Sequence, residues 1–343
     1  MSWITDEPDE GWEAYDEASV RERPNPKANK PRTKIRPEHA DSVDGFVTAV
    51  DRGRYTVVVR DGEPDEATIT TTRARELRKQ AIVAGDRVDV VGDTTGDEGS
   101  LARIVRIQPR TTLLRRSADD SDEFERVIVA NADLMLMVVA ARDPEPRPRL
   151  VHRYLVAAYD AGITPILVVT KTDLADPASL LANFEGLDIE TWRSRSDDPP
   201  VAALRERLDG HVTVAVGHSG VGKSTLVNAL VPAAGRAVGH VNAVTGRGRH
   251  TSSSTQSYRL GRGWVIDTPG VRSFGLGHID VASILKAFPD IQAVSEQCPR
   301  GCTHLADAPD CGIAEAAARG ELDRTRVDSV QGLLATLTVE DRW

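Results

Sequence analysis

The chain has 343 residues, room for two or three domains, with 43 basic and 52 acidic side chains and a net charge of −9. That balance excludes a uniformly basic nucleic-acid binder, although local basic patches remain open. Hydrophobic content of 40% is ample for packed cores, and no apolar run is long enough to span a membrane, so a cytoplasmic chain without membrane partners is expected.

Residues 1–38 read as a disordered charged tail. Acidic Asp6, Glu7, Asp9, Glu10, Glu13, Asp16 and Glu17 come first. Arg21, Arg23, Lys27, Lys30, Arg32, Lys34 and Arg36 follow, interleaved with Pro24, Pro26, Pro31 and Pro37. Proline and charge at this density prevent a packed core. The basic half suits either an RNA-touching arm or a solubilising tail.

Residues 39–112 read as one small β-domain. Short β-rich runs at 46–50, 55–59, 67–70, 87–91 and 102–107 are separated by turns, many with glycine, a pattern that suits a small Greek-key barrel. Arg103, Arg106, Arg110, Arg115 and Arg116 predict a basic face for RNA phosphates.

From 113 to 277 strands alternate with helices, which predicts a parallel sheet. A buried strand is expected over 134–139, and a helix over 150–161 ended by Gly162. A second buried strand, 165–169, leads into Thr170-Lys171-Thr172-Asp173. The Asp173 carboxylate can accept hydrogen bonds from N1 and N2 of guanine, a donor pair that adenine lacks. The Lys171 stem can pack over the base plane. Ser194 and Ser196 are both candidates for a loop over guanine O6.

Strand 212–216 then meets Gly217-His218-Ser219-Gly220-Val221-Gly222-Lys223-Ser224, which fits the G-x-x-x-x-G-K-[ST] phosphate loop. Its glycines let consecutive backbone N–H groups face phosphate oxygens, and the helix that follows over 224–230 adds its positive end. Lys223 suits the β- and γ-phosphates, Ser224 suits Mg²⁺, and Thr225 suits an α-phosphate oxygen. Downstream, Gly246-Arg247-Gly248-Arg249-His250-Thr251 suits a switch that orders around Mg²⁺ and the γ-phosphate, with Thr251 as a magnesium ligand. A strand at 264–266 ends in Asp267-Thr268-Pro269-Gly270, a D-x-x-G switch: Asp267 to hold a magnesium-bound water, the Gly270 N–H to sense the γ-phosphate. Val271 stands where Ras-like enzymes carry a water-orienting Gln, and His250 is the candidate replacement by type.

The order of these motifs is their most informative property. In an ordinary GTPase the guanine-reading element lies far downstream of the phosphate loop; here Thr170–Asp173 precedes it. Keeping all three motifs requires a circularly permuted GTPase that binds GTP or GDP with Mg²⁺. Each motif stands at the carboxyl end of a strand, where open α/β sheets bind ligands.

Residues 278–343 hold every cysteine of the chain: Cys298, Cys302 and Cys311, with His304 among them as C-x3-C-x-H-x6-C. Three thiolates and one imidazole make a closed tetrahedral set for one structural zinc ion. A disulfide with one free thiol is the alternative, and a reducing compartment favours the metal. Helices are expected at 313–320 and 323–337.

With these residues in place, the chain resembles the ribosome small-subunit-dependent GTPase A family. The resemblance spans about residues 40–335 and rests on TKTD, GHSGVGKST, GRGRHT, DTPGVRSFGL and the Cys/His cluster, in that order. It implies an N-terminal OB-fold, a central circularly permuted P-loop GTPase domain and a C-terminal helical zinc-binding domain. It also implies a monomer that binds the 30S ribosomal subunit and its 16S rRNA and acts late in that subunit's maturation, hydrolysing GTP under its stimulation and coupling hydrolysis to release. Two departures stand out. The family often spaces its zinc ligands C-x4-C-x-H-x5-C, and it places Asn where this chain has Thr170.

Overall fold

The computed structural model describes residues 39–77, 80–97, 99–117, 125–232, 255–268, 274, 276 and 279–338. The tail 1–38, His250, Thr251, Gly270 and Val271 lie outside the described residues. The body considered below is the compact unit Asp41–Trp343.

Five strands form the N-terminal barrel: β1 (Val43–Asp51), β2 (Arg54–Val59), β3 (Ala67–Arg73), β4 (Arg87–Gly92) and β5 (Ala102–Ile107). Their period-two alternation sends Val57, Ile69, Val88, Val90 and Ile104 into one core. β1 pairs with both β2 and β4, β3 runs parallel to β5, and β4 pairs with β5, so the sheet closes on itself. This is the expected small barrel, closed and OB-like.

The expected five-arginine face needs correction. Arg110 forks onto Asp86, with Nε–Oδ1 at 2.7 Å and Nη2–Oδ2 at 2.8 Å. Asp86 is 0% exposed. A buried carboxylate demands a paired cation, so Arg110 is committed inside the protein. Arg106 is paired at the surface, its Nη1 lying 3.2 Å from Asp89.

A hairpin of β6 (Leu113–Ser117) and β7 (Glu125–Ala130) follows. Then come β8 (Leu134–Ala140), α1 (Pro148–Asp160), β9 (Thr164–Thr170), α2 (Ala178–Leu181), β10 (Glu190–Arg193) and α3 (Val201–Leu208). After these lie β11 (Val212–Val216), α4 (Lys223–Leu230), β12 (Gln256–Leu260) and β13 (Gly263–Asp267). α1 starts with Pro148 in its first turn and ends in a Schellman motif. There the Ile163 N–H donates to Ala158 O at 2.8 Å and the Gly162 N–H to Tyr159 O at 3.1 Å, with Gly162 at a φ of 68°.

The strands stand in the order β10-β9-β8-β11-β13-β12. The first five are parallel; β12 is antiparallel to β13. The expectation of a parallel sheet fails only at this edge. Two residues connect β12 to β13, and only antiparallel neighbours can be joined so tightly. Alternation along the central strands divides the core in two. Met135, Met137, Leu167, Val214 and Ile266 face α1. Leu136, Val138, Ile166, Ala215 and Val265 face Leu204 and Leu208 of α3 and Leu226 and Leu230 of α4.

Four helices complete the described chain: α5 (Val281–Leu285), α6 (Pro289–Ser295), α7 (Gly312–Ala318) and α8 (Arg324–Thr338). Val330, Leu333 and Leu334 of α8 join Val151 and Leu155 of α1 in one buried cluster, so the core runs on across the expected boundary at 277/278. Each fully buried leucine contributes about 1.5–3 kcal/mol. Arg326 adds a polar anchor: it donates to Gly186 O at 2.6 Å, pairs with Asp188 at 2.5 Å and Asp290 at 2.8 Å, and lies over the Phe288 ring.

Candidate nucleotide site and metal centre

The phosphate loop joins β11 to α4, as its sequence pattern predicts. Its first glycine is required by close packing: a Cβ on Gly217 would approach Val138 O to 2.6 Å. Gly222, the residue before α4, holds a left-handed φ of 89°, which glycine adopts without steric cost. Gly220 has a φ of 84°, while His218 Nδ1 lies 2.9 Å from Ser219 O. Ser224 and Thr225 are exposed at the start of α4. Lys223 is only 8% exposed, and its ammonium pairs with Asp267 and donates to Thr268 O at 3.3 Å.

Asp267 reaches that lysine because β13 runs parallel to β11, with Asp267 opposite Ala215. The buried Thr268 is tied to the neighbouring strand: its Oγ1 donates to Ala215 O at 2.7 Å. Phe274, farther along, is buried edge-on against Tyr154 of α1, and its carbonyl accepts from Arg153 Nη2 at 2.8 Å. Sequence reasoning gave neither Thr268 nor Phe274 a role. The signal for both was a polar or aromatic residue inside an otherwise short switch motif.

The guanine-reading element meets the phosphate loop directly. Thr170, the last residue of β9, donates through Oγ1 to Val221 O at 2.5 Å, with Val139 O at 3.2 Å as a second acceptor. The shorter side chain therefore still spans the gap where the family places Asn. Lys171, at a φ of 56°, donates through Nζ to Gly220 O at 2.9 Å and also to Asp143 O, tying the loop after β8 to the same point. Asp173 accepts the Ser196 N–H at 2.8 Å, and that bond is the main cause that lowers its carboxyl below the ordinary value. Of the two serine candidates, Ser194 is buried, its N–H donating to Val169 O and its carbonyl accepting from Thr172, while Ser196 stands beside Asp173. Thr172, Asp173, Leu174, Arg193 and Arg195 line an open cleft of about 640 Å³.

The four metal-ligand candidates also converge. Sγ of Cys298, Cys302 and Cys311 and a ring nitrogen of His304 all lie within 4.8 Å of one another. Cys311 Sγ is 3.9 Å from His304 Nδ1. A tetrahedral ion with Zn–S of about 2.3 Å and Zn–N of about 2.0–2.1 Å fits between them. Burial pushes the Cys302 thiol up, and the Cys311 and Cys298 thiols beside it add to the shift. Burial lowers the His304 pKa and so favours the neutral, coordinating imidazole. The x3/x6 spacing thus keeps the donor set intact.

A model of the RsgA GTPase family matches residues 107–277. The "Small ribosomal subunit biogenesis GTPase RsgA" of Pseudomonas syringae pv. syringae is 38% identical over 266 residues, covering 75% of each chain. This chain belongs to the RsgA GTPase family. The protein of the same name from Pseudomonas aeruginosa (strain LESB58) is 35% identical over 274 residues, 76% of this chain and 77% of that one. Among solved structures, YjeQ from Thermotoga maritima aligns with a TM-score of 0.63 and 25% identity over 87% of this chain and 99% of that chain. YloQ, described as a circularly permuted GTPase, aligns with a TM-score of 0.62 and 25% identity over 88% and 96%. As a member of this family the chain is a GTP hydrolase of permuted topology, and its Cys/His cluster can hold zinc.

Proposed function

We propose that this RsgA-family chain binds the 30S ribosomal subunit, acts late in its maturation, and releases from it when stimulated GTP hydrolysis is complete. The observation that carries the reading is the joining of three out-of-order motifs: Thr170 and Lys171 on the phosphate loop, and Lys223 on Asp267. The relatives' shared name supports the small subunit as the partner; in this reading its 16S rRNA is the surface met. The chain works as a cytoplasmic monomer, and among the described residues no helix is long and apolar enough to cross a membrane.

In this reading the backbone N–H groups of Gly217, His218, Ser219, Gly220, Val221 and Gly222 cradle the phosphates. Lys223 swings from Asp267 to the β- and γ-phosphates, and Thr225 donates to an α-phosphate oxygen. Asp173 reads guanine under the Lys171 stem, and Thr172 continues that loop. Ser224 and Thr251 would hold Mg²⁺, with Asp267 reaching it through a water. Bound there, the ion would supply positive charge against the phosphate oxygens. The Gly270 N–H senses the γ-phosphate, and His250 orients the attacking water in place of a glutamine. Cys298, Cys302, His304 and Cys311 hold one structural zinc. Phe274, seven residues beyond Asp267, lies in the core that also holds α8, which supports a path from the switch to the C-terminal helices.

GTP turnover measured alone and with purified 30S, 50S and 70S particles tests this function. Selective stimulation by 30S is the expected result. Stimulation by 50S alone would reverse the partner assignment.

A further inference from the structure

The β12–β13 hairpin joins the segment before Gln256 to the D-x-x-G switch, and its two faces have different neighbours. Arg259 and Trp264 stand opposite one another on one face; Gln256 and Asp267 stand opposite one another on the other. The face with Arg259 rests on the barrel. Trp264, 5% exposed, stacks on Phe46 of β1 with ring centroids 4.8 Å apart, and its Nε1 donates to Asp61 Oδ2 at 3.2 Å. The Arg259 guanidinium lies over the same indole, 4.2 Å from its centroid. Its Nη2 lies 2.5 Å from Asp61 Oδ1 and also pairs with Glu66; both acids belong to the barrel chain between β2 and β3. Backbone pairing between the hairpin and the barrel is slight, a single register pair of Ala49 with Gln256. The side-chain clamp is therefore the barrel's main hold on a hairpin whose other border is paired to β11. On its reverse side Asp267 meets Lys223.

We propose that Arg259, held by Asp61 and Glu66, is a positioning residue for GTP hydrolysis: the barrel sets the place of the hairpin, and the hairpin sets the place of Asp267. The barrel is then part of the catalytic frame as well as a candidate RNA contact. A displacement of about 1 Å remote from the reacting atoms can cost about 10²-fold in rate. The pairing of the half-buried Arg259 with the largely buried Asp61 makes such a displacement the expected result of losing it.

The inference rests on the reading of Asp267 as the holder of a magnesium-bound water, so its test separates the two. Intrinsic GTP turnover of the full chain is followed as Mg²⁺ is titrated, for Arg259→Gln, Arg259→Lys, Asp61→Asn and Asp267→Asn. Arg259→Gln and Asp61→Asn are expected to lower kcat about tenfold and to raise the Mg²⁺ needed for half-maximal turnover several-fold. KM for GTP at saturating Mg²⁺ should change less than twofold. Arg259→Lys should recover part of kcat, because a cation still reaches the two acids. An unchanged Mg²⁺ profile in Arg259→Gln and Asp61→Asn, alongside a shifted one in Asp267→Asn, overturns the inference alone. No shift in Asp267→Asn overturns the magnesium reading beneath it. Should Arg259→Gln fail to fold, Asp61→Asn carries the test, since it keeps an acceptor for Trp264 Nε1. A kcat loss that tracks melting temperature, without recovery by Arg259→Lys, reduces the clamp to a structural role and also overturns the inference.

Discussion

The nucleotide site and the Cys/His cluster are both assembled from short motifs, but by opposite routes. The cluster gathers Cys298, Cys302, His304 and Cys311 from a single stretch of chain, and its ligand atoms lie within 4.8 Å. The nucleotide site draws on β9, β11 and β13, whose ends meet only because the sheet brackets β11 between β8 and β13. A local site depends on its own loop and on a cation; a distributed site depends on strand register. Damage to each should therefore have a different signature.

The sharpest way to break the comparison is Lys223→Ala. It removes the cation that Asp267 faces and that the proposed mechanism brings to the phosphates. We expect kcat/KM to fall about 10³-fold, measured by phosphate release, with zinc content unchanged. Next is Cys311→Ser, or removal of the metal with a chelator. Metal affinity in such sites is folding free energy, so zinc content by elemental analysis and melting temperature should fall together. Guanine-nucleotide affinity, in contrast, should stay within about twofold of the parent. An equal loss of both would mean that the two sites are not independent. Asp173→Asn comes third: GTP affinity should weaken by about 2–3 kcal/mol, the scale of hydrogen bonds to a charged acceptor, as calorimetry would show. The smallest effect belongs to Thr170→Val. Loss of the Oγ1 bond to Val221 should cost about 1 kcal/mol in nucleotide affinity, and Thr170→Asn should restore most of it.

The same contrast explains what was legible in the sequence. All five barrel strands, the strands carrying the nucleotide motifs and the grouping of Cys298, Cys302, His304 and Cys311 could be read directly, because alternation, glycine spacing and cysteine clustering are local patterns. The antiparallel edge β12 and the hairpin β6–β7 were not read. Each pairs with a neighbour close in sequence, but no turn or site motif marks either, and the 113–117 and 125–130 runs carry none. The commitment of Arg110 to Asp86 was hidden for a similar reason, since composition shows charge but not burial. Ser196 illustrates a third limit. Its main bond to Asp173 comes from its backbone N–H, a group that every residue except proline possesses, so the identity of the side chain was only a partial guide.

Continuity of one β-ribbon from β10 through β12 into β1 has a practical outcome for anyone dissecting this protein. A fragment beginning at residue 113 would strip Phe46 from the indole of Trp264 and remove the acids that neutralise Arg259. It would also open the hydrogen-bonding border of β12 beside a bared apolar patch, the combination that invites chains to stick to one another. Such a truncation is expected to precipitate or self-associate at concentrations where the intact chain does not.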